Sequence, residues 1–243
     1  MNIQLDDGVQ FGLGMFETIL MKHGKPVLLD WHLERLNASL AFFGIEQMVT
    51  VQQVEEFLQQ EGEACFHSGA LKLLVTEKNR LFLWRQHPYT KEVLDRGFSL
   101  DYSPVLRNET SVFTYHKTLN YGDNILAKRG TREKAIDEVV FLNSRGEICE
   151  GSTTNIFFVK DGTILTPAVS CGLLPGVMRR YILENSDCQE RILYPEDVEE
   201  MEECFVTNSL MGVMPVRRLG NREFRKSATA EALLAGFHKD FTF

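Results

Sequence analysis

The chain has 243 residues, 44% of them hydrophobic and 25% charged, which suits a globular protein with a sizeable core in one large or two small domains. A net charge of −8 argues against nucleic acid or an anionic membrane surface as a partner. The five cysteines (Cys65, Cys149, Cys171, Cys188, Cys204) form no close pair and no cluster with histidine, so neither a disulfide framework nor a metal site is expected. With no leader-like start and no apolar run of bilayer length, the sequence reads as cytoplasmic.

Met15 to Met21 and Lys25 to Leu29 read as strands around a His23-Gly24 turn. Asp30 is placed to cap a helix that turns Trp31, Leu33, Leu36, Leu40 and Phe43 to the core and ends at Gly44. Thr50 and Gln53 form a capping box for a second helix closing near Gly62. Leu71 to Val75, Leu81 to Trp84 and Phe98 to Pro104 read as strands, and Pro104 to Thr110 as a linker. Val112 to Lys117 is strand-like and Asn120 to Ile136 helical. Val139 to Leu142 is a strand before an Asn143–Gly146 turn, and Ile156 to Val159 pairs with Ile164 to Thr166 across Asp161-Gly162. Helices at Gly176 to Asn185 and Ser227 to His238 flank strands at Cys204 to Thr207 and Val213 to Val216, while the acidic run Glu196 to Glu203 reads as a solvated helix face. The expectation is an α/β (α+β) protein of two domains, residues 1–106 and 107–243, with mixed or antiparallel sheets.

Two segments carry chemistry. Lys117 ends an apolar run and leads into Thr118-Leu119-Asn120-Tyr121 without charged company. Glu150 precedes Gly151-Ser152-Thr153-Thr154-Asn155. An amine able to form an imine and a carboxylate able to keep a pyridine nitrogen protonated are what pyridoxal phosphate needs. Its phosphate calls for helix N–H groups, a hydroxyl and a cation. Leu174-Pro175-Gly176-Val177-Met178-Arg179 offers a helix start, Thr207-Asn208-Ser209 a hydroxyl, and Arg35 the cation. Singly, each has a plainer reading: Lys117 and Arg35 on a solvated surface, Glu150 and Ser209 in ordinary turns. His116 beside Lys117 reads as packing. Gly12-Leu13-Gly14 lacks the third glycine of a dinucleotide fingerprint, and no P-loop, GxSxG or HExxH motif occurs.

Seven ordered blocks carry a resemblance: Phe11 to Thr18, His32 to Leu36, Lys117 to Tyr121, Glu138 to Asn143, Glu150 to Phe157, Leu174 to Arg179 and Asn208 to Val216. Together they resemble the class IV aminotransferases, the fold-type IV pyridoxal-phosphate enzymes. That family includes branched-chain and D-amino acid aminotransferases and 4-amino-4-deoxychorismate lyases. The resemblance implies two domains with the active site between them, pyridoxal 5'-phosphate as cofactor, and a homodimer. It implies Lys117 as the Schiff-base lysine, Glu150 as partner of the pyridine nitrogen, Arg35 as phosphate ligand and Tyr121 as partner of the phenolic oxygen. Val177 and Met178 would offer N–H groups to the phosphate, and Ser209 its hydroxyl. Met178 stands where many members have threonine, and the Phe11 block lies near enough to the start that the family's first strand is expected to be shortened or missing. Gly176 to Arg179 and Asn208 to Val216 look most like the lyases, which release pyruvate and 4-aminobenzoate; a branched-chain or D-amino acid transaminase is the alternative. A substrate with two carboxylates needs anchors, and Arg107 is the candidate.

Overall fold

The structure, a computed structural model, describes residues 2–61, 69–133 and 135–241 in two compact units. The first unit takes the chain up to Pro88 together with His116–Tyr121; the second takes Tyr89–Tyr115 and the chain from Gly122 onward.

The first unit runs α1 (Asp7–Phe11), β1 (Met15–Lys22), β2 (Lys25–Pro26), α2 (Leu29–Phe42), α3 (Val51–Glu61), β3 (Gly69–Val75) and β4 (Arg80–Gln86). Its antiparallel sheet has the order β2-β1-β3-β4. Alternation along β1 sends Met15, Ile19 and Met21 into a core shared with Leu33, Leu36 and Leu40 of α2 and Leu71, Leu73 and Val75 of β3. The same alternation puts Glu17 on that apolar face. The segment around Lys117 lies along the start of β1: Phe16 N donates to Lys117 O at 2.9 Å, and Leu119 N to Gly14 O at 2.8 Å.

Local chemistry moves some ends. β2 stops at Pro26, which has no N–H to give, and Leu28 caps α2 with a left-handed φ of 53°. Asp30, the expected cap, therefore sits in the first turn, where a carboxylate still favours the helix dipole. The Thr50 capping box forms in both directions: Gln53 N donates to Thr50 Oγ1 and Thr50 N to Gln53 Oε1. The expected close of α3 at Gly62, and Cys65, lie outside the described residues.

The second unit contains α4 (Lys91–Arg96), β5 (Phe98–Tyr102), α5 (Gly122–Gly130), β6 (Glu138–Leu142), β7 (Ile148–Gly151), β8 (Asn155–Lys160) and β9 (Thr163–Pro167). It continues with α6 (Val177–Asn185), β10 (Cys188–Arg191), β11 (Glu203–Asn208), β12 (Gly212–Leu219), β13 (Arg222–Glu223) and α7 (Ala228–Asp240). The sheet order is β10-β9-β8-β11-β12-β5-β6-β7, with β13 on β12. β5 is parallel to β12 and β6, and β10 to β9, in an otherwise antiparallel sheet. The mixed α+β character expected from the sequence is what forms. Phe98, Leu100, Val140, Ile156, Phe158, Val206 and Met214 are among the core residues, while α6 packs on β11 and α7 on β12.

The boundary between units follows Pro88 rather than residue 106, because β5 pairs with β6 and β12 and so belongs to the second sheet. Val112–Tyr115 is a 3-10 turn, not a strand, since Thr114 Oγ1 and Tyr115 OH bond back to the carbonyls of Asn108 and Glu109. The helix expected to reach Ile136 ends at Gly130; Ala135 then takes φ 52° and Ile136 drops into a small core with Val139 and Phe141. The acidic run is a short 3-10 turn at Pro195–Glu200, and Glu203 is buried where Thr229 bonds it. Among the described residues no helix is long and apolar enough to cross a membrane.

Candidate active site

In the first unit, the Lys117 ammonium lies 4.4 Å from the centre of the Phe16 ring and 4.9 Å from that of Tyr121. These rings meet edge to face at 5.0 Å, so the amine rests on a fixed aromatic corner. Lys72 of β3 places a second ammonium 4.9 Å from the same Phe16 ring. Burial, and then the nearby Arg85, lower the Lys72 pKa from its ordinary value. His116 is packing, as expected: it bonds Ser39 Oγ at 2.9 Å and stacks on Phe42.

Arg35 is held from behind. Its Nε and Nη2 donate to the two oxygens of Glu17 at 2.8 and 2.7 Å, a bidentate pair with the arginine side chain 14% exposed. His32 Nδ1 donates to Glu17 Oε2 at 2.7 Å. Burial alone would raise the Glu17 pKa, but Arg35 and then His32 overcome it and hold the carboxyl well below the usual range. Burial pushes the His32 pKa down against the pull of Glu17, and its buried Nε2 has no partner among the described residues.

In the second unit, Glu150 at the end of β7 points inward and is 6% exposed. Oε1 accepts from Arg107 Nη2 at 2.9 Å and Oε2 from Leu174 N at 3.1 Å. Arg107, expected to anchor a substrate carboxylate, instead gives Nη2 to Glu150 and Nη1 to Asn124 Oδ1 while its guanidinium lies 4.2 Å from the Phe141 ring centre. The loop after Glu150 is gathered by Glu138, which is fully buried and accepts from Ser152 N, Thr153 N, Thr153 Oγ1 and the Ser152 hydroxyl. A Cβ on Gly151 would run into Thr154 Oγ1 and Glu138, so this glycine serves the loop's own packing rather than a ligand's approach.

The same end of the sheet holds the anion-binding candidates. Asn155 Nδ2 donates to Leu174 O at 2.9 Å, and its Oδ1 fills the place a Cβ on Gly176 would take. Gly176 is the N-cap of α6 and supplies no side-chain cap. The N–H groups of Val177 and Met178 stand in the first turn, where a helix provides no acceptor of its own, while their side chains are buried. Asn208 Oδ1 accepts from Leu210 N and Met211 N, both at 3.0 Å, shaping the turn that carries Ser209. Asn208 Nδ2 reaches Tyr89 OH at 2.9 Å, and burial raises the pKa of that phenol to about 12. Two hydroxyls nearby, Thr154 Oγ1 and Thr207 Oγ1, are buried without partners among the described residues.

The structure thus groups Lys117 with Tyr121 in one unit, and Glu150 with Val177, Met178 and Ser209 in the other. Reading the sequence missed Glu17, His32, Lys72 and Glu138 as site residues. Glu17 and Glu138 had a signal, each a lone acid at or inside an apolar strand, which needs a buried partner. Among the described residues no group of side chains is arranged to hold a metal ion.

A model of the family described as amino-transferase class IV matches residues 14–219. The aminodeoxychorismate lyase of Bacillus subtilis (strain 168) is 27% identical, over 88% of this chain and 80% of its own length. The D-alanine aminotransferase of Bacillus licheniformis is 26% identical, over 92% of this chain and 84% of its own. A hypothetical aminotransferase from Mycobacterium tuberculosis, solved in a PLP-bound form, superposes with a TM-score of 0.83 over 99% of this chain and 95% of that one, at 21% identity. With its family model spanning most of its length, the chain belongs to the class IV amino-transferases.

Proposed function

We propose that the chain is a pyridoxal 5'-phosphate-dependent 4-amino-4-deoxychorismate lyase, which eliminates pyruvate from its substrate and leaves 4-aminobenzoate. The observation that carries the choice within the family is the lyase-like run Asn208 to Val216, together with the likeness to the Bacillus subtilis lyase over most of both chains. The residues present suit the cofactor: α6 starts on a glycine with no side-chain cap, and Glu150 is turned away from solvent.

When bound, pyridoxal phosphate supplies a carbonyl for the substrate amine and a ring that takes up electron density as a proton leaves the neighbouring carbon. Lys117 Nζ would hold the cofactor and would be the base for that proton, and its aromatic corner fixes where the amine can reach. Glu150 would partner the pyridine nitrogen, and Arg107 and Leu174 N fix the carboxylate's orientation. Tyr121 would bond the phenolic oxygen. The N–H groups of Val177 and Met178, and Ser209, would bind the phosphate; Arg35, which Glu17 holds by both oxygens while His32 steadies Glu17, would be its cation. Lys72, beside the Phe16 ring that carries Lys117, takes the place first given to Arg107 as an anchor for a substrate carboxylate.

We further propose a cytoplasmic homodimer. Val105, Leu106, Ile125 and Leu126 are large apolar side chains left exposed in the second unit, as expected of a surface that a second copy covers. A second reading, an aminotransferase acting on branched-chain or D-amino acids, draws support from the D-alanine aminotransferase at nearly the same identity. The cofactor reading is tested by adding pyridoxal phosphate to the purified chain. A visible absorption band that is lost in Lys117→Ala supports it, and a colourless mixture that leaves the cofactor free in solution refutes it.

A further inference from the structure

Thr207 is 1% exposed and its Oγ1 has no hydrogen-bond partner among the described residues. A buried hydroxyl without a partner is destabilising, so its persistence calls for a ligand that satisfies it. The strand geometry says where that ligand would lie. Phe205 and Thr207 of β11 sit directly opposite Phe157 and Asn155 of β8. Phe157 and Phe205 stack at 4.9 Å, which puts these four side chains on one face of the sheet, away from Ile156, Phe158, Cys204 and Val206 in the main core. Asn155 is the residue whose Oδ1 abuts Gly176, the uncapped N-cap of α6. Side chains directly opposite across an antiparallel pair stand roughly 5 Å apart, so the Thr207 hydroxyl is a neighbour of the α6 N-terminus. Thr154 Oγ1 differs: it precedes β8 and packs where a Cβ on Gly151 would be.

We propose that Thr207 is a further ligand of the cofactor's phosphate, donating its hydroxyl hydrogen to an oxygen of the anion seated at the start of α6; this rests on the cofactor reading above. Two independent features converge on one kind of ligand. The first-turn N–H groups of α6 favour an anion. The buried hydroxyl needs an acceptor, and Met178 contributes only its backbone there because its side chain is 1% exposed. The turn beginning at Asn208 then carries Ser209 two residues further on, so β11 delivers two hydroxyls to the same end of the sheet.

The test compares pyridoxal phosphate with pyridoxal, which has the aldehyde and ring but no phosphate, by absorbance titration of the full-length cofactor-free chain. Thr207→Val keeps the shape and removes the hydroxyl. The expected result is pyridoxal phosphate bound about tenfold more weakly, as for loss of one charge-assisted hydrogen bond, with pyridoxal bound as before. Thr207→Ser should retain tight binding. Without cofactor, Thr207→Val should unfold no earlier than the parent, since a hydroxyl with no protein partner supports nothing in the fold. Because the ratio of the two affinities is read within one protein, Thr207→Ala gives the same answer if the valine variant folds poorly. Unchanged discrimination between the two compounds in the variants overturns the proposal while leaving the cofactor reading intact. A parent chain that binds neither compound overturns both.

Discussion

Arg107 Nη2 donates to Glu150 Oε1 at 2.9 Å, joining an arginine and a glutamate whose side chains are only 11% and 8% exposed. Removing one member of a buried pair leaves the other charge uncompensated, at a cost of roughly 3–5 kcal/mol. Arg107→Met should therefore lower unfolding stability in urea by about 3 kcal/mol and reduce kcat more than it raises KM. A variant with normal kcat and a raised KM would return Arg107 to the substrate-anchor role suggested by the sequence.

Asp6 ties the start of the chain to the turn between β3 and β4, accepting from Thr76 Oγ1, Lys78 N, Asn79 Nδ2 and Val9 N. Burial raises its pKa, but these hydrogen bonds outweigh it and bring the carboxyl down to about 2. A depressed carboxylate contributes stability that is present above its unfolded value, near 3.8, and is lost as pH falls toward about 2. Asp6→Asn should be less stable than the parent at neutral pH, with the difference closing across that acid window. A difference that stayed constant from neutral pH down to the acid end would refute this assignment.

Glu138 answers the backbone of Ser152 and Thr153 from within a strand, so the loop after Glu150 depends on it. Glu138→Gln replaces one acceptor oxygen with an amide donor facing other donors. A loss of about 2–4 kcal/mol in urea unfolding is expected, together with weaker cofactor retention in gel filtration. A variant of parental stability would show that the loop holds itself.

Lys72 shares the Phe16 ring with Lys117. If it meets a substrate carboxylate, Lys72→Met should raise KM roughly tenfold while kcat changes little, the pattern of lost ground-state binding. An equal fall in kcat at unchanged KM would make Lys72 a tuner of Lys117 instead.

Much of this was legible in the chain. β1 and the β8–β9 hairpin show themselves by alternation and by Asp161-Gly162, where both residues take positive φ as the tight turn requires. Lys117 and Glu150 stand out because an amine and a carboxylate in apolar or small-residue company ask for a ligand. What stayed hidden is non-local. The pairing of β5 with β6 and β12 is parallel and joins distant segments, so no local pattern moves the domain boundary to Pro88. The apolar spacing that suggested a helix to Ile136 is equally served by a turn that drops Ile136 into the core. Arg107 reads as a substrate anchor in the sequence because Glu150, its partner, lies 43 residues further along the chain.

Elimination without an acceptor separates a lyase from an aminotransferase. The direct measurement incubates the purified protein with pyridoxal phosphate and 4-amino-4-deoxychorismate, with no keto acid added, and quantifies both products. Pyruvate and 4-aminobenzoate are expected in equal amounts, and neither with Lys117→Ala. No product here, alongside new keto acids from a panel of amino acids with 2-oxoglutarate, would contradict the lyase reading and make the chain an aminotransferase.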